Sequence, residues 1–438
     1  MERAKSWSFA LRALRSRNYR LFFGGQSISL IGTWMTRIAT GWLVYRLTQS
    51  PFLLGMVGFA GQMPALFLTP FAGVWVDRWN RHRTLVVTQI LSMLQSFALA
   101  ALALAGVINI WEIIGLSLFQ GLINCFDMPG RQAFVVQMVE RREDLANAIA
   151  LNSSMVNAAR LVGPAIAGIL IAGVGEGYCF LIDGISYIAV IVSLLRMRIV
   201  RSASRPGRKR VLHELREGWA YVVQSIPIRA ILLLLALVSL VGMPYTVLMP
   251  VFASNVLHGG PHTLGFLMAA SGVGALVSAL NLAMRKTVIG LGGIVARSAM
   301  LFGAALVCFG LSRWFWVSLV LMFATGMGMM RQMAASNTIL QTILEDDKRG
   351  RVMAYYSMAF LGVSPFGSLL AGTLAAKIGA PYTVIISGIL CLAGAGWFAR
   401  ELPRIRSFVR PIYAQLGIIP ELATGIQSAS QLQTPPET

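Results

Sequence analysis

Among the ionisable side chains inside, or at the edges of, long apolar stretches of this chain are Arg37, Glu112, Asp127, Arg160, Asp183 and Arg331. A charge in hydrocarbon costs about 2.5–3.5 kcal/mol on insertion scales, so such groups face a cavity or a partner. Their chemistry is binding chemistry. A guanidinium at Arg37, Arg160 or Arg331 can hold an anionic group through paired N–H donors. A carboxyl at Glu112, Asp127 or Asp183 can take up and release a proton, or pair with a cation. Bond-making apparatus is missing from the sequence. There are four histidines (His82, His213, His258, His262), no Ser/His/Asp set, no metal-ligand cluster and no phosphate-binding loop. The four cysteines, Cys125, Cys179, Cys308 and Cys391, are widely spaced in apolar stretches and read as packing residues. These observations exclude the familiar enzyme classes, imply no cofactor or metal, and argue against ATP-driven pumping by this chain.

The elements that must position these groups are membrane spans. Of the 438 residues, 56% are hydrophobic and 12% charged, against about 25% charged in a soluble domain. A net charge of +20 would suggest nucleic acid in a soluble protein. Here the basic residues lie between apolar segments, so topology explains them and no nucleic-acid partner is expected. A span needs about 20 mostly apolar residues. Twelve segments qualify: 21–47, 52–76, 84–106, 109–131, 147–173, 178–197, 228–254, 264–285, 288–311, 315–340, 353–377 and 381–399. Segments one and ten are long or interrupted by polar residues. The first is too long for a signal peptide and lacks a cleavage site, so no cleaved signal is expected.

The expected fold is an all-α membrane protein with 12 transmembrane helices in two six-helix bundles. Residues 1–20 precede the first bundle, 21–197. A linker, 198–227, leads to the second bundle, 228–399, and a tail, 400–438. An even number of spans puts both termini on one side. That side holds 32 of the 37 Lys/Arg, and the opposite side holds Arg46, Arg313 and Lys377. This bias places both termini in the cytoplasm. Within the linker, Val211, Leu212, Leu215, Trp219, Val222, Val223 and Ile226 form an apolar stripe at helical spacing. It reads as an amphipathic helix on the inner membrane surface, or as a plain linker helix with one apolar face. The tail's end, Gln431 to Thr438, has the composition of a disordered segment.

Polar spacing aims the charged groups. Gln26, Ser29, Thr33, Arg37 and Thr40 recur every three or four residues, a stripe expected to line water. Arg37 then anchors an anionic group, forms a salt bridge to a neighbouring helix, or snorkels outward. Arg160 shares a face with Ser153 and Asn157, and serves either helix packing or substrate contact. Gln120, Asn124, Asp127 and Arg131 form a further stripe. Asp183 and Glu112 lie near outer helix ends, where an acid also suits the helix dipole. An internal echo relates the halves. Gln137 and Gln341 each open an acidic and basic run, 204 residues apart, and Asp127 and Arg331 each lie ten residues upstream. Asp127 therefore pairs either with Arg331 across a cleft or with Arg131 at i+4. Related halves are what a rocking-bundle carrier shows in sequence.

One loop is unusually dense in charge: Gly73-Val-Trp-Val-Asp77-Arg78-Trp-Asn80-Arg81-His82-Arg83, between segments two and three. Gly73, Asp77, Arg78, Arg81 and Arg83 match the corresponding loop of the major facilitator superfamily, with Asn80 where a glycine is usual. Further strings resemble the bacterial branch related to the enterobactin (siderophore) exporter: Arg17-Asn18-Tyr19-Arg20-Leu21, Pro129-Gly130-Arg131-Gln132, Arg160-Leu-Val-Gly163-Pro164, Asp183-Gly-Ile-Ser186-Tyr187 and Arg349-Gly350-Arg351.

The resemblance implies a 12-helix alternating-access carrier in a bacterial inner membrane. It implies export of a small anionic or amphipathic molecule, siderophore- or drug-like, driven by an ion gradient. An importer or facilitator of a metabolite or lipid on the same fold is the alternative. The expected partners are the bilayer and the substrate, with the chain monomeric. Departures bear on proton coupling: Ser117 stands where drug exporters carry an arginine before Gln120-Gly121, and the fifth-helix antiporter signature survives only as Gly163-Pro164 and Gly168. The expected gating set is Gly73, Asp77, Arg78, Arg81, Arg83 and Arg131, with Asp77 a latch at the inner mouth. The expected cavity set is Gln26, Thr33, Arg37, Gln120, Asn124, Arg160 and Arg331. Asp127, Asp183 and Glu112 are the carboxyls available for protons.

Overall fold

The computed structural model describes residues 11–198, 211–285 and 287–415. Helices form over the long apolar runs, and three of them open on a side-chain cap. The first bundle contains α1 (Arg17–Thr48), α2 (Pro51–Arg78), α3 (Arg81–Leu104), α4 (Ile110–Met138), α5 (Leu145–Val174) and α6 (Glu176–Leu195). Ser50 starts α2 by accepting from Leu53 N, with Pro51 behind it where no N–H is needed. Asn80 starts α3 by accepting from Arg83 N at 3.1 Å. The unusual asparagine of the basic loop is thus a helix cap, and only Trp79 and Asn80 separate α2 from α3.

The linker helix α7 (Val211–Gln224) leads into the second bundle. There, α8 runs over Ile226–Val256 and includes π-turns at Val238–Gly242 and Phe252–Val256. It is followed by α9 (Pro261–Ala283), α10 (Leu291–Leu311) and α11 (Phe315–Ile343). Helix α12 joins Asp346–Ser357 to Ser364–Ile378 through a π-turn at Met358–Gly362, and α13 spans Ala380–Gln415. Among the described residues, ten helices are long and apolar enough to cross a membrane. The other two, α1 and α4, have 32 and 29 residues but are diluted by polar side chains. They pack along helices that do qualify, α1 on α5 and α6, α4 on α2 and α3.

The bundles repeat one packing scheme. Pairs α1–α6, α3–α6, α2–α4 and α3–α4 in the first reappear as α8–α13, α10–α13, α9–α11 and α10–α11 in the second. The repeat extends to backbone conformation. Gly175, joining α5 to α6, has φ 93°, and Gly379, joining α12 to α13, has φ 88°. Only glycine adopts this region without strain. These glycines are separated by 204 residues, the same offset as Gln137 and Gln341.

Two seams join the bundles, α5 with α9 and α2 with α12. Each is made by facing glycines. A methyl built on Gly168 would stand 2.9 Å from the Cα of Gly265, and one on Gly372 would stand 2.8 Å from the Cα of Gly55. Such contacts bring backbones together, which is how helices associate tightly without a hydrophobic drive from the lipid. Both lie toward the end where α1 finishes and α2 begins. Gly41 against Pro250, at 3.6 Å, belongs to the same end. Toward the other end, where the chain begins, α4 and α11 make no extensive contact with each other, and Gln132 and Gln341 are exposed. The molecule is therefore closed at one end and cleft at the other, the end carrying most of the basic residues.

Two segments gain detail. The tail begins as a continuation of α13, with Ile405, Val409 and Tyr413 buried; its last part, 416–438, lies outside the described residues. The linker helix docks on protein: Gly218 meets Arg351 and Tyr355, Trp219 packs on Tyr355 at 5.7 Å, and Lys348 lies over Tyr221 at 4.9 Å. The side chains of residues 211–217 lie outside the described ones.

Candidate functional site

Arg37 of α1 and Arg160 of α5 converge on one aromatic ring. Their guanidinium carbons lie 4.7 and 5.6 Å from the centre of the Trp34 indole. Each contact is a cation–π interaction of about 0.5–2 kcal/mol, depending on desolvation. Neither arginine has an ion pair or hydrogen bond among the described residues, although both sit midway along spans. Gly163 makes the convergence possible. A methyl there would stand 2.5 Å from the Trp34 Cβ and 3.0 Å from the Ile31 carbonyl. The Gly163-Pro164 string thus serves close approach of α5 to α1. The result is two unneutralised positive charges on an aromatic platform, with Arg37 exposed. This arrangement can hold a carboxylate or another anion bearing an apolar or aromatic part.

The three carboxyls have different surroundings. Asp127 is buried and fully engaged. Its Oδ1 accepts from Thr88 Oγ1 at 3.0 Å and Gln89 Nε2 at 2.7 Å, and its Oδ2 pairs with Arg131. The i+4 partner is the one used in this conformation. Glu112 closes a capping box at the start of α4, its Oε2 accepting from Asn109 N at 3.0 Å. That places it at a helix end, away from the cleft. Asp183 is 1% exposed and lies two turns inside α6, deeper than the sequence indicated. Glu176 is the first-turn acid instead, buried and paired with Arg46 at 2.8 Å. Asp183 Oδ2 accepts from Thr36 Oγ1 at 2.8 Å and Ser96 Oγ at 2.9 Å, while Oδ1 has no partner.

The polar stripe of α1 is oriented differently from the expectation. Gln26 and Ser29 are buried, and Thr33 donates to Ser29 O at 3.0 Å with its hydroxyl 3.4 Å from that of Tyr187. Gln26 and Thr33 therefore face the bundle interior, and Arg37 alone of these three is exposed. On α4, Gln120 Nε2 donates to Ser92 Oγ and Asn124 Oδ1, each at 3.2 Å, and Asn124 is exposed. Arg331 of α11 is partly exposed, and its buried Nε has no partner. At the basic loop, Arg83 is exposed and His82 reaches the Leu194 carbonyl at 2.8 Å, tying the loop to the end of α6. Arg81 is partly buried. The side chains at Gly73, Asp77 and Arg78 lie outside the described residues. Asn18 ties α1 to the same end of α6: its Nδ2 donates to Arg198 O at 2.9 Å and its Oδ1 accepts from Arg198 N at 3.1 Å.

Trp34, Thr36, Thr88, Gln89 and Ser96 went unnoticed in the sequence. Trp34 had one usable signal, its place three residues before Arg37, one helical turn away.

Two six-helix bundles that repeat one packing scheme and meet round a cleft define a secondary transporter of the major facilitator superfamily. Within it, the chain belongs to the transmembrane secretion effector family, whose family model matches residues 8–409. Among curated relatives, the staphyloferrin A transporter of Staphylococcus aureus is 28% identical over 88% of this chain and 97% of its own length. The multidrug efflux pump Tap of Mycolicibacterium fortuitum is 26% identical over 86% of this chain and 93% of its own. The fold is similar to that of a bacterial homologue of the human lysosomal transporter Spinster in an inward-facing, unoccupied conformation. That comparison has a TM-score of 0.66, 13% identity, and coverage of 90% of this chain and 98% of the other.

Proposed function

We propose that the chain is a secondary active exporter of a small organic anion with an apolar or aromatic part, working by alternating access in a bacterial inner membrane. The observation that carries this reading is the pair of unneutralised guanidiniums at Arg37 and Arg160 on Trp34. An anion between them replaces mutual repulsion with two charge-assisted contacts, each contributing about 1.5–3 kcal/mol. The relatives support efflux as the direction, and one of them is named for a siderophore. The lysine and arginine bias puts the basic end in the cytoplasm, so the described conformation is inward-facing and ready to load from inside.

Residues 21–197 and 228–399 are the rocking units, and 198–227 the tether between them. Arg331, Gln120 and Asn124 complete the inner walls of the cleft. When the inner mouth closes, Asp127 exchanges Arg131 for Arg331 across the cleft, and Asp77 latches the loop carrying Arg78, Arg81 and Arg83. The chain acts as a monomer.

Uptake into everted membrane vesicles tests the reading, with staphyloferrin A and a set of neutral and cationic drugs offered in turn. The anion should accumulate, and Arg37→Ala or Arg160→Ala should weaken its apparent affinity about 10–100-fold. Accumulation of cationic drugs, indifferent to both arginines, would overturn the anion assignment. Loss of the anion from the vesicles rather than gain would reverse the direction.

A further inference from the structure

Asp183 has no part in the substrate contacts above, yet it is the least compensated carboxyl among the described residues of the first bundle. Three helices enclose it. From α1 come Thr36, which donates to Oδ2, and Gly32, whose backbone lies so close that an added methyl would stand 2.6 Å from Oδ1. From α3 comes Ser96, the second donor to Oδ2. On α6 itself, Ser186 donates to the Asp183 carbonyl at 2.7 Å. The neighbouring titratable groups of α6 are Cys179, Tyr187 and Glu176. Glu176 is paired with Arg46, and beyond Tyr187 lies the Asp127–Arg131 pair. The cations of α1 and α5, Arg37 and Arg160, lie on Trp34.

No cation pairs with Asp183 among the described residues, and its buried Oδ1 makes no hydrogen bond, the nearby Ser186 hydroxyl donating to the Asp183 carbonyl instead. A bare carboxylate in such a place is strongly disfavoured. With Oδ2 already accepting two hydroxyls, the proton belongs on Oδ1.

We propose that Asp183 is the proton-binding residue that couples transport to the proton gradient, an inference resting on the reading of the chain as a secondary active exporter. The coupling element is one stretch of α1. Gly32, Thr33 and Thr36 face α6 and α3, whereas Trp34 and Arg37 carry the anion site. With the proton bound, α1 packs against α6 as described and the cleft is open to the basic end. Loss of the proton leaves an unpaired charge between α1, α3 and α6. That charge disfavours this packing and moves the helix that holds Trp34 and Arg37. Proton release and anion loading therefore act on the same stretch of one helix, as antiport requires.

The test needs no substrate. Spin labels are placed at Val136→Cys and Gln341→Cys, near the basic ends of α4 and α11, with the exposed Cys308 changed to serine. Interspin distances are measured in liposomes from mildly acidic to mildly alkaline pH. The wild-type background should lose its long-distance population as pH rises. Asp183→Asn, which mimics the protonated carboxyl, should keep that population at every pH. Infrared spectra should show a protonated-carboxyl band that titrates with the distance change, persists in Asp127→Asn and is absent from Asp183→Asn. Thr36→Val removes a donor that favours the charged form, so the midpoint should move to more alkaline pH, a shift that a packing role would not produce. Parallel pH responses in the Asp183→Asn and wild-type backgrounds, or a titrating band that survives Asp183→Asn, would overturn the proposal. Failure of the vesicle assay to find an exported anion would leave these measurements untouched, so the two readings fail separately.

Discussion

At the scale of single residues, the site is defined by which charges have partners. Asp127 and Arg131 satisfy each other, with Thr88 and Gln89 filling the remaining acceptor capacity of the carboxylate. Such a pair is costly to break because one buried charge is left alone. Asp127→Asn should lower stability by about 1–3 kcal/mol, read as a drop in the thermal unfolding midpoint in detergent. Adding Arg131→Met should recover part of that loss, since both charges are then gone. Arg37 and Arg160 are the opposite case, charges with no ion pair among the described residues and only the Trp34 ring against them, and this difference is the ground for proposing them as binding residues. Some of it was legible in the sequence. An arginine within an apolar run is conspicuous, and Arg37 and Arg160 were identified that way. The depth of Asp183 was not legible, because it depends on where α6 starts. Glu176 begins that helix, so the acid expected near its end lies two turns inside it.

At the scale of helices, spacing identified faces but not what they face. Gln26, Ser29, Thr33 and Arg37 share one side of α1, yet Gln26 and Ser29 are buried in the bundle and Arg37 is exposed. Periodicity cannot distinguish a polar neighbour from water, so a stripe of this kind marks a helix interface as readily as a cavity wall. Trp34 was invisible for a related reason: an aromatic residue in a span looks like any lipid-facing or packing side chain until the helix opposite it is placed. That helix is α5, admitted by Gly163. Gly163→Ala adds a methyl 2.5 Å from the Trp34 Cβ, and overpacking of this kind costs about 1–3 kcal/mol. Anion uptake should fall further than the unfolding midpoint, because the displaced helix carries both Trp34 and Arg37. Equal losses in the two measurements would assign Gly163 to packing alone.

At the scale of the whole molecule, the internal repeat was a faint sequence signal of architecture, resting on one acidic and basic run in each half. The offset of 204 residues joins not only Gln137 to Gln341 but also Gly168 to Gly372, the two glycines that close the seams. The seams are therefore equivalent by repeat, one from each half. At the open end, Asp127 and Arg331 occupy equivalent positions and are candidates to meet when the cleft closes. Cysteines at 127 and 331 should crosslink only when the inner mouth is shut, a condition set by trapping the outward-facing state. No crosslink in either state would retire the exchange of Arg131 for Arg331. The closed end has a physical consequence of its own. Gly55 with Gly372, Gly168 with Gly265, and Gly41 with Pro250 are all uncharged contacts. The ion pair described nearby, Arg46 with Glu176, stays within one bundle. Mobile ions screen charges but not backbone contacts. The seam at the closed end should therefore hold equally well in dilute and concentrated salt, so that ionic strength is not what decides when it opens.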